Sequence, residues 1–146
     1  ENQVREKEKQ NIPDITEKLE GKRILLAEDN ELNAEIAETV LVEAGIEVKR
    51  VEDGLQCIEE LKKMPENYYD VILMDVQMPN MDGYTATQRI RDLDDSRAEI
   101  PIIAMTANAY DEDRRKAQEA GMDGFLAKPL DVDEMMRLLG KITKTE

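Results

Sequence analysis

The sequence predicts an α/β fold in which a parallel sheet carries helices on both faces. Three observations predict it. Apolar runs alternate with stretches of helical periodicity five times along the chain. The connections between them are short and punctuated by Gly and Pro. Val71 to Met74 (VILM) is an unbroken apolar run, as a strand covered on both faces requires.

The elements follow in order. Residues 1–20, ENQVREKEKQNIPDITEKLE, are polar, mixed in charge and interrupted by Pro13. They read as a linker or partly helical lead-in, with the folded domain over 21–146 and the core starting at Arg23. Arg23–Ala27 (RILLA) is a short buried strand. Leu32, Ile36, Val40 and Leu41 recur at helical spacing until Gly45 stops the helix. Ile46–Val51 is the second strand. Leu55, Ile58 and Leu61 mark a second helix that Pro65 closes. Val71–Met74 is the third strand and Thr85–Arg91 a short third helix. Ile100–Met105 is the fourth strand, with Pro101 at its second position. Tyr110–Ala120 is a polar helix ended by Gly121, and Gly124–Ala127 a short fifth strand. Asp131 with Glu134 forms a capping box before a last helix lined by Met135, Leu138, Leu139 and Ile142. Such alternation implies right-handed crossovers, with ligands beyond the carboxyl ends of the strands.

The chain has 146 residues, enough for one domain with some to spare. Its net charge of −14 argues against a phosphate-backbone binder, which needs clustered Lys and Arg. It has no His, which excludes His catalysis, His metal ligands and a phosphohistidine on this chain. The single Cys57 forms no internal disulfide and fits a reducing, cytoplasmic setting. Cys57, Met135 and Met136 read as core residues, and Tyr84 and Tyr110 as packing or surface residues. No run approaches a membrane span, and no signal-peptide pattern opens the chain. The first residue is not Met, which raises the expectation of a fragment of a longer protein.

The strand ends gather the chemistry. The first strand runs into Glu28-Asp29-Asn30, the third into Asp75, the fourth into Thr106-Ala107-Asn108 and the fifth into Lys128-Pro129. Taken singly, each has an ordinary reading: a turn carboxylate, helix-capping acids, a strand-end hydroxyl, a surface lysine. Together they form a rim of acids, a hydroxyl and an amine.

ILLAEDN, VILMDVQMPNMDG, IIAMTA and FLAKPL, each at a strand, together resemble the receiver domain of two-component response regulators over about residues 21–143. The resemblance implies the flavodoxin-like, doubly wound (βα)5 three-layer sandwich with strand order 2-1-3-4-5. In that order Glu28, Asp29 and Asp75 converge. Two carboxylates about 4 Å apart repel by roughly 4 kcal/mol at an effective dielectric near 20, which a divalent cation relieves. An oxygen-only donor set with water suits Mg²⁺. The resemblance implies that Asp29, Asp75 and the Gln77 backbone carbonyl ligate Mg²⁺. Glu28, standing where many receivers carry Asp, would act through water or directly.

It further implies that Asp75 is the nucleophile accepting a phosphoryl group, with Lys128 and Thr106 assisting. Ala107 keeps access open, Gln77 and Asn108 tune a slow hydrolysis, and Thr106 and Phe125 form a switch. Phe125 read alone is a core residue. The Lys128–Pro129 bond is expected to be cis. The donor would be a histidine kinase or a His-phosphotransfer domain meeting the first-helix face around Leu32 to Ile36. The output face would be the fourth helix, fifth strand and fifth helix, with a weak dimer also considered. The charged lead-in and the EDN…N pattern at Asn30 and Asn33 resemble the carboxy-terminal receiver of a hybrid sensor histidine kinase. That reading places this chain in the cytoplasm, without membrane or nucleic-acid contact of its own, whether or not the parent is membrane-anchored. A stand-alone regulator is the runner-up.

Three alternatives compete. A Mg²⁺-dependent phosphatase with an aspartyl intermediate commonly has a second Asp two residues after the nucleophile, where this chain has Gln77. A flavin or nucleotide carrier cradles phosphate in a Gly- or Ser/Thr-rich loop after the first strand, where this chain has EDNELN. A receiver-like interaction module that is never phosphorylated would not need the full rim set. The chain itself is therefore expected to be a phosphoacceptor and not an enzyme.

Overall fold

In a computed structural model, which describes residues 18–107 and 111–143, the sheet is fully parallel. Its strands are β1 (Arg23–Ala27), β2 (Glu47–Val51), β3 (Val71–Asp75), β4 (Ile102–Thr106) and β5 (Gly124–Ala127), in the order β2-β1-β3-β4-β5. The helices are α1 (Glu31–Glu43), α2 (Gly54–Lys63), α3 (Gly83–Arg91), α4 (Asp111–Ala120) and α5 (Val132–Ile142). A 3₁₀ turn, Ser96–Glu99, leads into β4.

Side chains alternate across each strand with period two, and this divides the core into two layers. Ile24, Leu26, Val71, Leu73, Ile103, Met105 and Leu126 pack with Ala34, Ala37 and Leu41 of α1 and Met135, Met136 and Leu139 of α5. Leu25, Ala27, Ile72, Met74, Ile102 and Ala104 pack on the other side with Cys57 and Leu61 of α2, Ala86 and Ile90 of α3 and Ala117 of α4. Strands β3 and β4 are buried along their whole length, whereas β2, at the edge, buries only Val51.

The helices begin where the sequence offers caps. Asn30, Asp53, Asp82 and Asp131 each accept a backbone N–H from the first turn that follows them. The fifth-helix cap and the strand Gly124–Ala127 stand where the sequence puts them.

Several boundaries and faces differ from the sequence reading. Among the described residues the core begins at Leu19, which is fully buried beside α1, β1 and α5 neighbours, and not at Arg23. Leu32 and Ile36 recur at helical spacing and are 65% and 50% exposed, which leaves the face around them open, while α1 buries Ala34, Ala37 and Leu41. A short side chain lets this helix lie close to the sheet, and the period alone does not say which stripe turns inward. Leu55 of α2 is likewise exposed. Strand β4 starts at Ile102. Pro101 has no N–H to give a ladder and stands just outside, its carbonyl accepting from Ile72. Helix α3 begins two residues before Thr85, because Asp82 supplies the cap. Ile46 is buried but precedes β2. Tyr110 lies outside the described residues.

Arg91 ties the lower half together. From α3 its guanidinium donates to the carbonyls of Gly121, Ala98 and Ile100 at 2.8–2.9 Å and to Asp123 Oδ2 at 2.9 Å. An ammonium reaches one such cluster but not four directions at once. Arg91→Lys is therefore expected to lower the unfolding free energy by about 2–3 kcal/mol, since unpaired half-buried carbonyls cost roughly 1–3 kcal/mol each. Urea denaturation against the native chain measures it, and an unchanged midpoint would refute the role.

Candidate functional site

The parallel register builds the site. Ala27 pairs with Met74, and Asp75 pairs with Met105, so Glu28 and Asp75 leave adjacent strands side by side. Thr106 pairs with Ala127, which sets Lys128 one residue further along the same rim. The ladder continues past the strand ends: Glu28 N–H donates to Val51 O, Val76 N–H to Met105 O and Lys128 N–H to Thr106 O. Each functional residue thus sits on backbone that is hydrogen-bonded to a neighbouring strand.

Asp75 is the last residue of β3 and is 5% exposed. Its Oδ1 accepts the Gln77 N–H at 3.1 Å, and its Oδ2 accepts from Lys128 Nζ at 3.0 Å. Lys128 also lies 2.6 Å from Glu28 Oε1, while Glu28 Oε2 accepts the Asn30 N–H at 3.0 Å. Glu28 is 2% exposed, and Asp29 beside it is exposed. One carboxylate oxygen from each of Glu28, Asp29 and Asp75 lies within 4.8 Å of the others. Hard oxygen donors at this spacing, with Asp29 open to solvent, fit a small divalent cation that keeps part of its water shell.

The charge balance is uneven, three carboxylates against one ammonium. Burial, above all, pushes the Glu28 carboxyl up to about 7; the Asp75 carboxyl adds to this, and Lys128 and the Asn30 N–H oppose it. Burial alone would lower the Lys128 ammonium, yet its bonds to Glu28 and Asp75 hold it above the usual lysine value. Both shifts favour bound protons, as an excess of buried negative charge requires.

The other expected residues fall as follows. Thr106 is buried at the end of β4, with Ala107 exposed after it. Gln77 is exposed at the mouth, and Asn108 lies outside the described residues. The Lys128–Pro129 peptide is cis. Phe125 is half-buried and packs at the margin of the layer built by α2, α3 and α4, with the Arg114 guanidinium 5.0 Å from its ring centre. Tyr84 is half-buried, whereas Cys57, Met135 and Met136 are core. The sequence reading missed Arg50. From the edge strand it donates to the Glu28 carbonyl at 2.9 and 3.1 Å and to the Asp29 carbonyl at 3.3 Å, fixing the turn that carries both acids. No local signal marks it, because the contact spans two strands.

The chain is similar to known proteins along most of its length. The profile of the response regulator receiver domain matches residues 24–140. The peroxide stress-activated histidine kinase mak1 of Schizosaccharomyces pombe is 40% identical over 124 residues, which cover 84% of this chain and 8% of that kinase's length. Among solved structures, the receiver domain of sensor histidine kinase PA1611 from Pseudomonas aeruginosa, with a magnesium ion coordinated in its active-site cleft, is 41% identical. It superposes with a TM-score of 0.77 over 86% of this chain and 99% of its own. The receiver domain of Ssk1 from Saccharomyces cerevisiae, solved in complex with the histidine phosphotransfer protein Ypd1, is 26% identical with a TM-score of 0.77, covering 86% and 90%.

The raised Glu28 pKa sets a pH dependence. The folded state binds this proton more tightly than the unfolded state does, so the group adds stability at low pH and loses it as pH rises through about 7. In metal-free buffer the stability of the native chain is expected to decline from pH 5 to pH 8 relative to Glu28→Gln, which carries no such proton. Urea midpoints of both across that range decide it; parallel curves would remove Glu28 as the source.

Proposed function

This chain belongs to the response regulator receiver domain family, and from that premise we propose that it is the phosphoryl-accepting switch of a two-component phosphorelay, with Asp75 as the acceptor. The observation that carries the proposal is the convergence of Glu28, Asp29 and Asp75 on one rim with Lys128 bonded to two of them. Asp29, Asp75 and the Gln77 carbonyl would hold Mg²⁺, with Glu28 beside it. Once bound, the ion neutralises charge on the carboxylates and on the incoming phosphoryl group.

The residues of the chain do the rest by position. An Asp75 oxygen attacks phosphorus, the bond from phosphorus to the donor nitrogen breaks, and that electron pair leaves with the donor imidazole. Lys128, already 3.0 Å from Asp75, meets the charge that the phosphoryl oxygens bring in. Thr106 donates its hydroxyl to one of them. Ala107 leaves the approach open, and Gln77 and Asn108 lack an acidic group to activate water, so loss of the phosphoryl group is slow. Phe125 would then follow Thr106, altering the face made by α4, β5 and α5.

We read residues 21–146 as the receiver unit and 1–20 as its lead-in, and the parent as a hybrid histidine kinase acting from the cytoplasm; histidine kinases are among the relatives that support the kinase part of this reading. The exposed Leu32 and Ile36 supply a docking face for a phosphohistidine partner. Beside them a cavity of about 230 Å³ lies between α1 and Pro129-Leu130, reaching Glu28 and Lys128. No helix among the described residues is long and apolar enough to cross a membrane.

Incubation with Mg²⁺ and acetyl phosphate, read by intact-mass spectrometry, tests the proposal. A single phosphoryl adduct is expected on the native chain, absent without Mg²⁺ and absent from Asp75→Asn, with slow decay. No adduct on a chain shown separately to bind Mg²⁺ would defeat it for small donors, and the same result with a phosphohistidine domain would defeat it altogether.

A further inference from the structure

We propose that Asp53 and Asn80 form an anchor that positions the segment 76–82, and with it the Gln77 carbonyl and the Asp75 carboxylate, for Mg²⁺. This rests on the reading of those two groups as metal ligands. Asp53 would be a positioning residue, acting through the loop and not touching the ion.

Asp53 follows the edge strand β2 and is 4% exposed. Its Oδ1 accepts the Gln56 N–H at 2.8 Å and so caps α2. Its Oδ2 accepts from the Asn80 side-chain amide, also at 2.8 Å. The cap alone does not account for a buried carboxylate. A Ser hydroxyl caps a helix as well, and burying a charge is costly unless both oxygens find partners. Asp offers one oxygen to the helix and one to the loop.

The loop is shaped to meet it. Asn80 has φ of 66°, a left-handed conformation that Asn adopts more readily than most residues. Next to it, Met81 O accepts the Gly54 N–H at 3.0 Å. A Cβ on Gly54 would lie 2.6 Å from that oxygen, so the approach requires glycine. Asp53 and Gly54 together therefore hold two successive loop residues.

Elsewhere the segment is tied at its ends and, inside, by the Met81 N–H bond to Pro79 O and the packing of Met78 and Met81 on the core. Val76 N–H donates to Met105 O, and Gly83 N–H to Val76 O, which fixes the two ends. Between them Gln77, Pro79 and Asn80 are exposed, and Met78 and Met81 are half-buried. The Gln77 N–H bonds to Asp75 Oδ1, so a shift of the loop is passed to the acceptor carboxylate itself. Groups that orient metal ligands from behind commonly contribute about tenfold or more to metal affinity.

Two variants remove the anchor and spare the backbone. Asn80→Gly keeps access to the left-handed conformation, and Asp53→Ser keeps the helix cap. Each is expected to weaken Mg²⁺ binding about tenfold, measured by calorimetric titration, and to speed amide hydrogen exchange at 77–81 in the metal-free chain. The double variant should be no weaker than either single one, because both remove one bond. Asp53→Asn is expected to restore near-native affinity, since its oxygen can cap the helix while its amide meets Asn80 with the latter's amide turned over. Unchanged Mg²⁺ affinity in Asn80→Gly, in a native chain that binds Mg²⁺, would overturn the anchor while leaving the phosphoacceptor reading standing. A native chain that does not bind Mg²⁺ would overturn both. Asn80→Gly decides the matter alone if Asp53→Ser does not fold.

Discussion

Three carboxylates share one ammonium at the carboxyl edge of the sheet, and much of the structure exists to hold them there. Left to themselves, Glu28, Asp29 and Asp75 would separate into solvent. They are kept together by backbone hydrogen bonds that continue the β-ladder beyond β1, β3 and β5, by Arg50 clasping the carbonyls of the two acids after β1, and by Lys128 bonded to both Glu28 and Asp75. Burial, with the neighbouring Asp75 carboxyl adding to it, raises the proton affinity of Glu28. Such an excess of negative charge is one that a hard cation would offset.

The fold and the rim were legible because they rest on local signals. Unbroken apolar runs identify strands covered on both faces, and Asn, Asp and Gly mark where helices begin and end. With the strand order that the resemblance supplies, residues that follow neighbouring strands converge on one rim, which brings Glu28, Asp29, Asp75 and Lys128 together. The strand order was carried by resemblance to receivers and agrees with the observed sheet.

What was not legible depends on contacts that no local pattern encodes. The inward stripe of α1 is Ala34, Ala37 and Leu41, so the exposed Leu32 and Ile36 misdirect any reading that equates apolar with buried. Leu19 belongs to the core although the residues around it are polar. Arg50, Arg91 and the pair of Asp53 with Asn80 act across 20 or more residues of sequence. Each reads locally as an ordinary surface arginine, a helix cap or a turn.

The alternation of side chains across the sheet also gives the site a direction. Ile103 and Met105 face the layer of α1 and α5, whereas Ala104 faces the layer of α2, α3 and α4. Thr106 lies two residues beyond Ala104, and Phe125 pairs with Ala104 in the register and packs at the margin of that second layer. Lys128, two residues beyond Leu126, has the opposite parity. Under the proposed function, a change of charge at Asp75 would reach the layer of α1 and α5 through Lys128, which is bonded to it, and the layer that includes α4 through Thr106. The rim addresses both layers of the sheet because successive residues of a strand point opposite ways. Asp75, the last residue of the central strand, is where the two meet.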